Sequence, residues 1–293
     1  MRRHLAILRT TALEVCSEPL TFLLTLTALG CAAILPALHF HQFGDPSRMA
    51  RDAGLSALLI VGLAYSVFCT VKPYRREIES GTLQMALAAS VSRPGFFLAK
   101  LAGVFLAYLV FAVTVTCVAL TAVNGAELGG ALAAKTGDIA KMYGPSLAFA
   151  VSVLVLPPVL AAALNRFLRF RFVPTATFLS LVLAAGAAAF RFSPHLAARF
   201  LPAAVLLVFP AAVFMAAAAA FAVRWPANAA TALMGVLFAL QLPFLGDYYL
   251  SDALSRGGTV PWSFVGLAAL ATLPLVAAFA LLGIRLFKDR DYS

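Results

Sequence analysis

Residues equipped for chemistry are scarce in this chain. It has four histidines, four cysteines and 12 acidic residues among 293. The densest group of potential metal donors is "HFHQFGD", which sets His39, His41 and Asp45 within seven residues. It lies near the end of an apolar run, where histidines are commonplace, and His4 and His195 are far off in sequence, so no metal site is assigned. Cys16, Cys31, Cys69 and Cys117 are widely spaced with no CxxC pair. Three of them fall inside apolar runs, where a thiol behaves as a small hydrophobe, so neither a disulfide framework nor a zinc site follows. No GxxxxGK[ST] phosphate loop, HExxH or GxSxG occurs. The chain is therefore read as lacking a catalytic centre and a bound cofactor.

Polar chemistry is concentrated in one stretch, "KPYRREIESGTLQ" from Lys72 to Gln84, with Lys72, Arg75, Arg76, Glu77 and Glu79 between long apolar runs. Charged side chains of both signs serve docking, through charge-assisted hydrogen bonds, better than they serve topology alone. A basic topology signal accounts for Lys72, Arg75 and Arg76 but leaves Glu77 and Glu79 unexplained. Gly81 inside a helical run costs about 1 kcal/mol against Ala, so a helix is expected to bend or break near Ser80 and Gly81. Thr82 is then placed to cap a resumed helix. Ile78, Met85 and Ala89 fall on one arc of such a helix and Leu83 and Leu87 on another, which suits contact with the chain's own spans and with a separate partner.

The elements that must position this stretch follow from composition. The chain is 62% hydrophobic and only 12% charged, with a mean hydropathy of +0.95. That charged share is about half the ordinary value for a soluble domain. Lipid is the solvent this composition fits. The formal net charge of +10 is dispersed among membrane-like neighbours, which excludes nucleic-acid binding and suits anionic headgroups. Apolar windows of the length needed to cross a bilayer cover 20–38, 53–71, 96–123 (which Lys100 opens), 146–164, 173–190, 200–223, 228–246 and 262–284. The reading is an all-α integral membrane protein of about eight transmembrane helices in a single domain, 1–293. With both termini inside, fifteen of the 22 Lys and Arg residues fall on the inner side, in accord with the positive-inside rule. No Asp or Glu lies within these windows. Carriers driven by ion gradients generally need an intramembrane ionisable group, so that class is disfavoured.

Three further features complete the plan. Residues 1–18 are expected to form an amphipathic helix in the inner interface, with Leu5, Leu8, Ala12, Val15 and Cys16 on the apolar arc, ended by Pro19. Residues 72–95 are read as a cytoplasmic loop and 124–144 as an outer-face segment able to form a short helix. Pro157, Pro158 and Pro243 lie inside apolar windows and are hinge candidates, although a tolerated kink explains them as well.

The stretch "YRREIESGTLQMALAASVSRPGFFLAK" resembles the cytoplasmic coupling helix of type-2 ABC (ATP-binding cassette) transporter permeases. Glu77, Glu79, Gly81, Thr82 and Leu83, the later "VSR" and Lys100 are similar to that family's "ExExGTL…PxSR…GK" pattern. Ser90 stands where the family has proline and Ala99 where it has glycine. The interfacial first helix and the last quarter, from "FLGDYYLSDALSRGG" to "LFKDRDYS", are similar as well. Family members have a core of six spans, against eight counted here.

The resemblance implies the membrane-spanning subunit of a transporter, paired with a second permease copy. A separate ATPase subunit would bind ATP and Mg and engage Tyr74, Arg75, Arg76, Glu77, Glu79, Gly81, Thr82 and Leu83. The implied location is the inner or plasma membrane, with both termini cytoplasmic, and the implied task is export or extraction of an amphipathic or membrane-embedded substrate. An ion-driven carrier and a non-transporting membrane anchor for a cytoplasmic ATPase are the alternatives.

Overall fold

The computed structural model describes the backbone of residues 2–34, 46–80, 92–136, 139–245 and 260–288. Side chains are described for all of these but 2, 46, 130–136, 139–146 and 240–245. Among the described residues there are nine helices and no strand: α1 (Arg2–Cys16), α2 (Pro19–Ile34), α3 (Pro46–Glu79), α4 (Arg93–Thr136), α5 (Ile139–Leu168), α6 (Phe172–Phe190), α7 (Pro194–Arg224), α8 (Ala227–Leu245) and α9 (Trp262–Lys288). Six segments are long and apolar enough to cross a membrane: Ser47–Glu79, Arg93–Gly129, Leu147–Leu168, Phe172–Phe190, Pro194–Arg224 and Trp262–Lys288. The pair α1 and α2, bent by 64°, passes the same test together, and the apolar part of α8 is the shorter Ala227–Ala239. The chain is an all-helical, multi-pass membrane protein.

Contacts between helix ends fix how the chain runs. The start of α2 meets the end of α3 through the Glu18–Lys72 ion pair, and Phe22 meets Phe172 at the start of α6. Arg93 at the start of α4 donates to the Lys288 carbonyl at the end of α9. At the far end, Ala50, Val123, Ala126 and Leu196 form a small cluster from α3, α4 and α7, and Asn124 donates to the Arg191 carbonyl after α6. Successive helices from α2 to α9 thus alternate in direction.

The core lies where α3, α4 and α7 cross. Gly54 of α3 sits against Ala119, so close that a Cβ there would be 2.5 Å from the Ala119 methyl. In α7 the run Ala216–Ala220 is almost wholly buried; small side chains let helices approach closely in a medium that supplies no hydrophobic drive between them. Tyr65, Tyr108 and Phe111 stack beside them, with Tyr65 4.6 Å from Phe111 and 5.9 Å from Tyr108. Outer helices do the reverse. In α5, Val151, Val155 and Val159 are exposed, and so are Leu267, Leu270 and Leu273 in α9. An apolar surface of that extent belongs against lipid or another chain.

The structure departs from the sequence reading in three places. Residues 124–144 do not make a separate short helix: α4 continues to Thr136 and α5 starts at Ile139. Lys72–Glu79 is not loop but the last two turns of α3. At 34 residues that helix is about 51 Å long, well beyond a hydrocarbon core of about 30 Å. "RREIE" is made of good helix formers, and Arg75 reaches Glu79 one turn on at 2.7 Å. The helix stops where the glycine begins, with the Ser80 N–H closing on the Arg76 carbonyl.

In α1, Thr11 (4% exposed) is buried with Ala12 and Val15, whereas Leu5 faces out at 68%. The cause is Gly103 of α4. A Cβ there would meet the Leu8 carbonyl at 2.6 Å and Thr11 Cβ at 2.9 Å, so α1 crosses α4 at backbone contact and seats a small residue. α1 ends at Cys16, the hydroxyl of the next residue, Ser17, donates to the Leu13 carbonyl, and Pro19 opens α2.

Candidate functional site

The charged end of the bundle is built around one buried cation. Lys100, in the second turn of α4, has no solvent exposure. Its Nζ donates to the Pro73 carbonyl at 2.8 Å and lies 2.6 Å from Glu77 Oε2. The rings of Tyr74 and Phe96 flank it at 5.4 and 5.8 Å. A buried ammonium is tolerated only when paired and hydrogen-bonded, and each of these contacts supplies part of that requirement.

Tyr74 is equally hidden, and its hydroxyl donates to the Phe97 carbonyl at 2.8 Å. Phe97 in turn lies over Gly283 of α9, where a Cβ would be 2.4 Å from its ring, and both Phe96 and Phe97 pack on Phe287. The end of α3, the start of α4 and the end of α9 are thereby clasped together. Ser92 caps α4, its hydroxyl accepting from the Gly95 N–H at 3.3 Å, with Pro94 inside the first turn.

A second layer ties in the junction of α1 and α2. Arg76 lies 3.4 Å from Glu14 and 3.7 Å from Glu18, and Lys72 pairs with Glu18. On the rim Arg75 donates to Glu79 Oε1 through both Nε and a terminal nitrogen, at 3.1 and 2.7 Å. Four acids (Glu14, Glu18, Glu77, Glu79) and four bases (Lys72, Arg75, Arg76, Lys100) form this network, which is balanced in charge.

The residues singled out from sequence divide accordingly. Tyr74 and Glu77 are engaged within the chain, with the Glu77 side chain 29% exposed. Arg76 and Glu79 present themselves outward, at 64% and 59%. Gly81, Thr82 and Leu83 lie outside the described residues, as do His39, His41, Asp45 and the segment 246–259. Pro157 is buried and Pro158 half-buried in a helix that continues through both; Pro243 falls in α8. Among the described residues no three His, Cys, Asp or Glu gather to hold a metal ion.

Sequence reasoning did not pair Glu77 with Lys100, nor bring in Glu14 and Glu18. The spacing held one clue: a lone lysine eight residues after the cap at Ser92 lies on an otherwise apolar helix and requires a carboxylate. Compared with known proteins, the chain matches no family model, and neither a curated protein nor a solved structure matches it.

Proposed function

We propose that this chain is the membrane-spanning permease subunit of an ABC transporter. It works as a dimer with a separately encoded ATPase that supplies ATP hydrolysis and binds ATP and Mg. The task is export or extraction of an amphipathic or membrane-embedded substrate. The observation that carries the reading is the clasp. Residues 81–91, the middle of the Tyr74–Lys100 stretch that resembles a coupling helix, are bracketed by Glu79 and Ser80 on one side and by Ser92 on the other. Both brackets are anchored to one another through Glu77, Lys100 and Tyr74. A force applied to residues 81–91 passes directly into α3 and α4, and through Phe97 and Gly283 into α9. A topology signal has no use for such a linkage.

In this account α2 and α8 are spans as well, giving eight with both termini cytoplasmic, and the clasp faces the cytoplasm of the inner or plasma membrane. Cysteines placed at Asp45 and Ser251, with the four native cysteines replaced, label from outside intact cells; labelling of Ser251 only after permeabilisation contradicts the eight-span arrangement. For energy coupling, the purified chain alone hydrolyses no ATP, and transport in sealed vesicles survives collapse of ion gradients while ATP remains. Hydrolysis by the isolated chain, or loss of transport with the gradients, contradicts the assignment.

A further inference from the structure

A groove runs along the seam between α3 and α8. At the charged end it opens into a cavity of about 880 Å³, where Lys72, Arg75, Arg76 and Glu79 meet Asn228 and Thr231 over an apolar floor that includes Phe68. Phe68 and Thr231 also border the next cavity, about 220 Å³, which continues deeper between Ile60, Leu63 and Phe238 and is almost wholly apolar. From Lys72 to Ile60 the groove follows α3 for about 18 Å. That is close to the depth of one leaflet, about half of a 30 Å hydrocarbon core. The volume suits a small amphiphile.

We propose that this groove holds one phospholipid bearing a zwitterionic headgroup with a primary ammonium, of the phosphatidylethanolamine type, drawn from the leaflet at the charged end. Part of one of its two acyl chains lies in the slot between Phe68 and Phe238, and the other chain stays in the bilayer. The choice of headgroup follows from charge. The cavity lining itself holds three cations and one acid, but each cation is paired, Lys72 with Glu18, Arg75 with Glu79 and Arg76 with Glu14 and Glu18, so an anionic lipid would add a net negative charge to groups already neutralised. A zwitterion is satisfied without that. Its phosphate meets Arg76, the outermost cation and the one held by the longest ion pairs, at 3.4 and 3.7 Å, together with the Asn228 amide. Its ammonium meets Glu79, which is 59% exposed. An ammonium with N–H donors suits a carboxylate. A quaternary one prefers an aromatic cage, and among the described residues Phe68 is the one aromatic in this lining.

The site shares Glu79 with the proposed ATPase contact, so its test uses the chain without an ATPase and reads lipid rather than transport. The full chain is reconstituted in nanodiscs of phosphatidylcholine containing a minor fraction of either phosphatidylethanolamine or phosphatidylglycerol. It is then extracted in mild detergent, and bound lipid is counted by native mass spectrometry. The expected result is one phosphatidylethanolamine per chain, enriched about tenfold over its share of the bilayer. Gly235→Phe fills the slot, which Gly235 lines, and a Cβ at Gly235 meets nothing within 4 Å, so the backbone there admits a side chain. It and Thr231→Phe each return the bound lipid to the bilayer composition. Glu79→Gln removes the preference for phosphatidylethanolamine over phosphatidylcholine while one lipid stays bound. Enrichment of phosphatidylglycerol instead, or equal retention in both filled variants, overturns the proposal. So does loss of chain–chain association in Gly235→Phe with bound lipid unchanged, which would make the groove a protein interface.

Discussion

The two ends of the helix bundle solve different problems. At the end shared by α1, α3, α4 and α9, eight charged groups are interlocked, one of them a lysine with no exposure, and aromatic rings seal the joint. At the other end the described contacts are looser. Arg48 and Asp52 stand 3.9 Å apart on one helix face, Arg51 reaches Ser47 at 3.5 Å, and small apolar residues fill the gap around Leu196. Arg48 and Asp52 are partly exposed, so solvent shares in holding them. The clasp at the first end requires groups on four helices to be in register at once, and an arrangement of that cost in desolvation suits a place where motion must be transmitted without slack.

The largest way to break the contrast is Lys100→Met. It strands Glu77 and is expected to cost about 3–5 kcal/mol, seen as a lower thermal midpoint in detergent. Adding Glu77→Gln is expected to recover most of that loss, since a pair removed whole leaves no buried orphan. If the single and double variants melt together, the pair is not what joins α3 to α4. Gly103→Leu tests the crossing of α1 over α4. It forces the helices apart at the Leu8 carbonyl and is expected to cost about 1–3 kcal/mol, with faster amide exchange confined to α1. Arg76→Ala removes an exposed, long-range pair and is expected to cost no more than about 1 kcal/mol. Arg48→Ala at the far end is expected to shift stability by about 0.5 kcal/mol or less, as for other exposed pairs one turn apart. A large loss there would erase the difference between the ends.

Much of this arrangement was legible in the sequence because lipid enforces simple rules. The described parts of the apolar windows all lie on helices, and the bend at Pro19 and the stop of α3 after Glu79 fall where proline and glycine signal them. The start of α4 at Ser92–Arg93–Pro94 is likewise a local signal. What escaped was set by tertiary contact. Charge density marked Lys72–Glu79 as a loop, but helix propensity and the Arg75–Glu79 pair carry α3 through it. The moment of α1 placed Thr11 on the polar face, whereas Gly103, ninety-odd residues on, makes room to bury it. Glu77 read as a free docking group because Lys100, though within the stretch compared with the family pattern, was counted with the next apolar window, and only the fold sets the two together. The mixed-sign groove between α3 and α8 is invisible to any window, because its walls are far apart in the chain.

The central claim is that the charged end grips an ATPase, and Glu79 tests it most directly. Glu79 is exposed and paired with Arg75 on the rim, outside the Lys100 clasp, so Glu79→Lys is expected to change the unfolding free energy by no more than about 1 kcal/mol. Glu77→Lys is unsuitable for the same purpose, because it would set two cations together at Lys100 and break the fold. The chain, parent or Glu79→Lys, is affinity-purified from its native membranes, and the phosphate-loop ATPase expected to co-purify with the parent is identified and assayed. The account predicts that the variant reaches the membrane at normal abundance and fails to retain or stimulate that ATPase. Full retention and full stimulation by a normally folded Glu79→Lys chain would contradict it.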